Sequence, residues 1–403
     1  MSLRLAPAYL AAAASLGLAA ARDCEGQVEP RHLEPVSASP RVTRRLTRPD
    51  GRDRITLPEV GAFGVFDPSI RADGARVWMS YSAVETPQTL FCPSATTSTI
   101  SRVTTRLAYS DDQGVTWTDI ALVNDAPTIC LGAPLVVGVW QAEVSSLVKD
   151  PAAPPDERWK LFYHRYLWVK DSSADNRRFE AGWIARRAAG RPDLLPAAPE
   201  RKLFVGSGYD PAFDVVGGAP MIALDRLDVA LNPCLVFTEP GGLSSGGDLF
   251  LALSCASSTP QDSKLVLIAQ GGGQWRYVGT LLNAADGLAL GSTGPPTAAD
   301  LFVVGAQAYL LATRTLADRY DGCLVFGADL PTARVAREPT GRPKVLLELR
   351  PMIAGSHSGA CAYEPLARQS GILFGEVDTS TGVPSFQIFR SHVNIPDALP
   401  TAQ

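Results

Sequence analysis

Asp67, Glu143, Asn232, Thr297 and Ser358 set the chemical question, because each opens a strand-like apolar run and His357 sits beside the last of them. Aligning these openings on Asp67-Pro68-Ser69-Ile70 places Glu143, in Ala142-Glu143-Val144-Ser145-Ser146-Leu147, and Asn232, in Leu231-Asn232-Pro233-Cys234-Leu235, at one height. Glu239, in Thr238-Glu239-Pro240-Gly241, is a further carboxylate expected to reach in from a loop. Carboxylates gathered in one place suit proton transfer: one that keeps its proton is an acid, and one that loses it is a base or nucleophile. Asn232 and His357 can bond to a ligand's hydroxyls, and Trp78, Trp140 and Trp168 offer flat apolar faces. Each also has a plainer reading. Asp-Pro starts turns, Glu143 suits an ion pair, His357 lies in a Gly/Ser-rich turn, and buried tryptophans pack sheets.

These residues need a framework, and from Ile55 onward the chain supplies one by repeating a pattern of four short strands. The first unit spans 66–70, 76–82, 103–109 and 117–123; the second spans 143–148, 159–166, 182–187 and a weak 202–205. The third spans 233–238, 248–255, 264–269 and 275–281, and the fourth 301–304, 308–313, 322–326 and 345–349. The fifth shows 360–364, 371–377 and 386–390, with its outermost strand expected from the N-terminal segment. A unit of this size buries its faces only by stacking on neighbours, so the repeats must close into a ring. The expected architecture is all-β: a five-bladed β-propeller of four-stranded antiparallel blades, with a six-bladed ring as the alternative. Function in a propeller concentrates where the innermost strands open onto the central channel.

Ser110-x-Asp112-x-Gly114-x-Thr116-Trp117 lies between two strand-like runs. Asp112 can accept backbone N–H bonds across a tight turn, Gly114 can take positive φ, and Trp117 can cap the sheet beneath. The spacing resembles the Asp-box, or BNR-like, repeat of sialidases and related β-propellers. That resemblance implies a structural hairpin between the third and fourth strands of the first blade, away from the active site. Gly271-Gly272-Gly273-Gln274-Trp275 is a degenerate echo at the equivalent place in the third unit.

Phe66-Asp67-Pro68-Ser69-Ile70, Asp73-Gly74 and Trp78-Met79-Ser80-Tyr81-Ser82 look like the first blade of five-bladed glycoside hydrolases, the arabinanase/xylosidase and invertase-like groups. Glu143 to Val148 followed by Trp159-Lys160-Leu161-Phe162-Tyr163 looks like a blade opened by an acidic residue. The resemblance implies that Asp67 is base or nucleophile and Glu143 the candidate acid, the paired carboxylates that glycosidic cleavage requires. The resembled groups usually take the acid from the third blade, where this chain presents Asn232, so Glu239 is the other candidate. Three readings follow: a secreted glycoside hydrolase-like enzyme acting on a glycan, a non-catalytic glycan- or protein-binding surface propeller, and an exo-sialidase. The last would need a tyrosine nucleophile with a glutamate partner and three arginines, for which Tyr163, Tyr320, Tyr363, Arg71, Arg165, Arg314 and Arg390 are available.

Composition agrees with an exported β-protein. The 403 residues include 35 Gly, 32 Pro and 46% hydrophobic residues, a mix suited to short strands and turns. A net charge of −4 does not provide the basic surface a general nucleic-acid binder needs. Arg4, the apolar run Leu5 to Leu18 and Ala19-Ala20-Ala21 read as a signal peptide over 1–21, implying a secreted, periplasmic or cell-surface protein. Residues 22–54 read as a polar Arg/Pro-rich linker, 55–396 as the propeller and 397–403 as a tail. No further segment is apolar and long enough to span a membrane as a helix. Seven cysteines suit disulfides, with Cys234–Cys255 the strongest pairing, Cys92–Cys130 and Cys323–Cys361 looser ones, and Cys24 left over. No metal site or cofactor is expected. Calcium in the channel is compatible with the resemblance, although no ligand set can be named.

Overall fold

The computed structural model describes residues 46–47, 53–55, 57, 61–90, 98–131, 136–170, 175–211, 222–223, 228–231, 233–316, 319–352, 356–379 and 383–395. The expected leader, most of the linker, Cys24, Cys92, Asn232 and the tail lie outside the described residues. What is described is almost entirely β-structure, with a short α-helix at Ala284–Ala289.

The strands pair in five successive antiparallel groups of four, which further pairings join into sheets of fourteen, six and four strands. The first comprises Gly64–Asp73, Arg76–Leu90, Ser98–Ser110 and Thr118–Asn124. The second comprises Val136–Lys149, Trp159–Lys170, Asp175–Ala189 and Arg201–Val205. Val236–Ser245, Asp248–Ala256, Lys264–Gly271 and Gln274–Asn283 form the third. Thr297–Val304, Gln307–Leu316, Arg319–Asp329 and Val345–Leu349 form the fourth. His357–Ala362, Leu373–Asp378 and Ser385–Arg390 make most of the fifth. Its outer strand is Asp53–Ile55, which pairs with Ser385–Arg390, so the N-terminal segment completes the C-terminal sheet.

The first strands of the five units touch in cyclic order, first to second and onward until the fifth meets the first again. The hydrophobic cores follow the same cycle. Trp78 and Leu107 pack on Trp140 and Leu147, Phe162 and Ile184 on Phe237 and Leu251, and Phe250 and Leu267 on Leu310 and Phe326. Phe302 and Leu311 meet Phe374 and Phe389, and Ile70 and Tyr81 meet Leu373 and Ile388. Each sheet therefore buries its faces against two neighbours. This explains why Gly64–Asp73 is buried along nearly its whole length while the outer strand Thr118–Asn124 is largely half-exposed.

The turn after Ser110 forms as its residue types require. Asp112 accepts from Val115 N at 3.1 Å, Thr116 N at 2.8 Å and Thr116 Oγ1 at 2.7 Å, while Gly114 N donates to Ser110 Oγ at 2.8 Å. Gly114 takes φ +88°, and a Cβ there would lie 2.7 Å from the Ser370 Cβ, so both conformation and space call for glycine. Trp117 is buried beneath the turn. Gly272 and Gly273 turn the chain at the corresponding place in the third unit, and Trp275 packs edge-on to Phe204.

Two disulfides are described in full. Cys234–Cys255 closes the entry to the third unit, with a Cα–Cα distance of 5.1 Å. Cys323–Cys361 joins the fourth unit to the fifth across a Cα–Cα distance of 6.3 Å. Cys130 is also disulfide-bonded. No helix among the described residues is long and apolar enough to cross a membrane.

Candidate active site

Every inner strand breaks its pairing with the second strand at one β-bulge. The breaks fall between Phe66 and Ser69, Glu143 and Ser146, Thr238 and Gly241, Thr297 and Asp300, and Gly359 and Ala362. The residue just inside each break has positive φ: Asp67 at 49°, Val144 at 47°, Glu239 at 53°, Ala298 at 44° and Ala360 at 50°. None is glycine. A left-handed non-glycine residue costs about 1–3 kcal/mol and persists only where its surroundings enforce it. Five bulges at one level make a strained collar around the channel, and a bulge re-aims the side chain it carries.

The collar corrects the alignment expected from sequence. Its equivalent positions are Asp67, Val144, Glu239, Ala298 and Ala360. Glu143 stands one residue earlier, level with Phe66, Thr238, Thr297 and Gly359, and Ser358 stands two residues earlier than Ala360. Glu239 is not a loop residue reaching in; it lies on the third inner strand, at the position Asp67 occupies on the first. Asn232, the expected third-unit residue, precedes the inner strand and lies outside the described residues.

Asp67 and Glu239 are alike in more than position. Each is followed by a proline, which lacks an N–H and so suits the stretch where a bulge leaves the ladder unpaired. Each also accepts from a serine on the second strand: Ser82 Oγ to Asp67 Oδ2 at 2.8 Å, and Ser254 Oγ to Glu239 Oε2 at 2.9 Å. Ala298 N donates to the same Glu239 oxygen at 3.1 Å, as does Thr297 Oγ1, while the Tyr320 hydroxyl donates to Oε1. The second, fourth and fifth units place Val144, Ala298 and Ala360 at the collar. Two of the five equivalent positions are therefore acidic.

Asp67, Glu143 and Glu239 are 6%, 7% and 8% exposed. Asp67 and Glu143 line one cavity, walled by Phe66, Val84, Val103 and Phe386. Asp67 also lines a second, axial cavity bounded by Val144, Pro240, Ala298 and Ala360 from the other four units. Burial pushes Asp67 well above the usual carboxylate range; Glu143 and then Glu239 add to the rise, against the bonds from Ser82 and Val144. Burial likewise raises Glu239, although its bonds from Tyr320, Ser254 and Ala298 favour the ionised form. Asp67 and Glu239 are thus both pushed toward their protonated forms, Asp67 in part by the two other carboxyls beside it.

One level further in, the channel is closed by a paired charge. The Arg71 guanidinium donates to Asp300 Oδ1 at 2.7 Å, to Gly242 O at 2.6 Å and to Leu301 O at 2.9 Å. Tyr363 N donates to Asp300 Oδ2 at 3.2 Å, so the plug ties the first, third, fourth and fifth units. The turn at Asp112 is at the far end of the first sheet from Asp67: Ser110 pairs with Val77, whereas the strand partner of Phe66 is Ser82.

Tyr320 and His357 join the site from the fourth and fifth units. Their rings stack at 4.6 Å with a 22° interplanar angle, and Tyr320 N donates to His357 Nδ1 at 3.1 Å. The His357 ring also lies 5.6 Å from that of Phe66. Trp140, expected as a sugar platform, is instead buried against Trp183 at 4.9 Å in the core between the first and second units. Trp78 and Trp168 are buried as well. Of the arginines available for a sialidase-type clamp, Arg71 is committed to Asp300, Arg165 to Glu200 at 2.8 Å and Arg314 to Asp321 and Glu348. Among the described residues no group of three or more His, Cys, Asp or Glu side chains is disposed to hold a metal ion.

Sequence reasoning offers Tyr320 only as one of three tyrosines for a sialidase-type nucleophile, without its contact to Glu239, and misplaces Glu239. The available signal was the acid-proline dipeptide, present at 67–68 and again at 239–240 where two units open. Nothing local marks Tyr320, because its role depends on a contact between the third and fourth units.

No protein-family model and no curated protein matches this chain. Among solved structures it is similar to a family 117 glycoside hydrolase produced by the marine bacterium Zobellia galactanivorans, at 12% identity over 88% of this chain and 92% of that one, with a TM-score of 0.48. A family 32 β-fructofuranosidase of Bombyx mori matches at 12% identity over 82% of this chain and 60% of that one, with a TM-score of 0.47. Trypanosoma rangeli sialidase matches at 10% identity over 88% of this chain and 58% of that one, with a TM-score of 0.38. The chain thus spans less than two thirds of the Bombyx mori and Trypanosoma rangeli proteins.

Proposed function

We propose that this chain is a secreted five-bladed β-propeller that hydrolyses glycosidic bonds, with Asp67 and Glu239 as its paired carboxylates and Glu143 as a third acidic group beside them. The observation that carries the reading is the equivalence of Asp67 and Glu239. They occupy the same position of the same strained bulge two units apart, each held by a second-strand serine. The cyclic contacts of five inner strands favour five blades over six, and the disulfides suit an oxidising compartment.

Glycoside cleavage needs one carboxyl that delivers a proton to the leaving oxygen and one carboxylate that attacks the sugar or activates water. Glu239 suits the first role, since burial keeps its proton above the ordinary carboxylate range. It also stands in the third unit, where the resemblance to arabinanase/xylosidase and invertase-like enzymes expects the acid. Asp67 takes the second role, the one the resemblance implies for the first unit. Burial and the neighbouring carboxyls favour its protonated form. Positive charge developing on the sugar ring in the transition state favours the ionised form, in the same direction as the bonds from Ser82 and Val144. Glu143 moves from the acid role first expected of it to an electrostatic one, since it is the largest charge acting on Asp67.

One contact speaks for the exo-sialidase reading: the bond from Tyr320 to Glu239 has the form of a tyrosine nucleophile with its base. Charge opposes it. Burial and the carboxylates Glu239 and Asp67 raise Tyr320 well above the usual phenol range, which keeps its proton on and leaves it a donor.

The test is turnover of a panel of aryl-glycosides and polysaccharides by the wild type, Asp67→Asn and Glu239→Gln. Release of sugar by the wild type alone supports the mechanism. Unchanged turnover in either variant overturns the assigned pair. Glycan binding with no turnover in any protein favours the non-catalytic propeller.

A further inference from the structure

Glu239 is gripped differently at its two oxygens. Oε2 takes Ser254 Oγ, Thr297 Oγ1 and Ala298 N, a set that fills its acceptor capacity from the third and fourth units. Oε1 takes the Tyr320 hydroxyl. Tyr320 is buried, 3% exposed, in a cluster with Phe66, Val84, Ala298, Ala360 and Phe386. Its ring is clamped face-on by His357, which also takes the Tyr320 backbone N–H. Three residues along the same strand, Cys323 is tied by its disulfide to Cys361 on the strand that carries His357. A long phenol arm is therefore fixed at its ring, its backbone and its strand, and delivered to one carboxylate oxygen.

We propose that Tyr320 is the positioning residue of this site, a neutral donor that fixes the rotamer of Glu239 and directs the exchangeable proton of that carboxyl to Oε1. This inference rests on the glycosidase reading for its catalytic meaning but not for its physical content. With Oε2 occupied by three donors, a proton entering Glu239 binds Oε1, and the phenol then turns its own hydrogen away and accepts. Oε1 is therefore the oxygen that carries the exchangeable proton. The titratable groups around this carboxyl and its phenol are Asp67 from the first unit, Glu143 from the second, Tyr320 from the fourth and His357, behind the phenol, from the fifth.

The experiment follows the Glu239 carboxyl by carbon NMR titration of the unliganded full chain, with Glu239→Gln identifying its resonance. In Tyr320→Phe the ionised carboxylate loses a donor, so its midpoint moves to higher pH by about one unit. Replacing Tyr320 by a fluorinated tyrosine, a stronger donor of the same shape, moves the midpoint the other way and preserves the packing if Tyr320→Phe fails to fold. In the active enzyme, the high-pH limb of kcat/KM follows the same two displacements, while KM changes less than kcat. An unchanged Glu239 midpoint in both variants, or shifts of the same sign in both, overturns the inference. Shifts of opposite sign in a protein that cleaves no glycoside leave the inference standing and remove the glycosidase reading instead.

Discussion

Two levels of the same channel hold charge in opposite ways. At the collar, Asp67 and Glu239 are 6% and 8% exposed and are satisfied by hydroxyls and a backbone amide. One level in, Arg71 and Asp300 are 6% and 3% exposed and satisfy each other and the backbone. Burial is nearly equal, so burial does not distinguish a working group from a structural one. The counterion does. Asp300 has its charge paired by an arginine, whereas Asp67, opposite other carboxyls, is pushed toward its protonated form.

The sharpest way to break this comparison is to neutralise each level in turn. Asp67→Asn should lower kcat by about 10³-fold or more, with folding intact by circular dichroism. Its Tm should equal or exceed that of the wild type, because a buried acid lacking a counterion is removed. Arg71→Met should do the reverse, destabilising the fold by about 3–5 kcal/mol in denaturant titration, since Asp300 is left buried and alone. The double variant Arg71→Met, Asp300→Leu should recover much of that loss. A stable Arg71→Met protein would mean that the plug is not what ties the units.

The same contrast extends to pH. A carboxyl raised in the folded state contributes stability that is full below its unfolded value, near 3.8 for Asp67, and is lost as pH rises through the folded one. The Tm advantage of Asp67→Asn should therefore be absent at pH 3 and grow as pH rises through the acidic range toward neutrality. A constant difference across the range would show that Asp67 titrates normally. The smallest effect belongs to the far end of the first sheet, where Asp112→Ala should cost about 1 kcal/mol of stability and leave kcat/KM unchanged. An activity loss there would deny the separation between hairpin turn and site.

Much of the framework was legible in the chain. Pro233 to Thr238, Lys264 to Ala269 and Val345 to Leu349 read as strands because β-branched and apolar residues sit between Gly, Pro and Asp turns; the last two are strands throughout and the first from Val236 onward. Ser110 to Trp117 read as a tight turn because Asp, Gly and Trp each have one local task there, and the hydrogen bonds match. Cys234–Cys255 was legible from the unit boundaries and is present. The site was legible only in part. Asp67 stands out through its proline, but the local pattern points to Glu143 as its equivalent and to Trp140 as a sugar platform, and the bulge register and core packing make neither so.

The reason lies in the range of the interactions. Strand propensity, turn chemistry and the acid-proline dipeptides act over a few residues, so the sequence by itself determined four-stranded units and which acids were available. Bulge register depends on pairing between strands some fifteen residues apart, and a one-residue slip sends a side chain to the other face. Tertiary structure therefore decided that Glu239, rather than Glu143, is the counterpart of Asp67. It also placed Tyr320 against Glu239, 81 residues away along the chain, through a contact that exists only when neighbouring sheets stack.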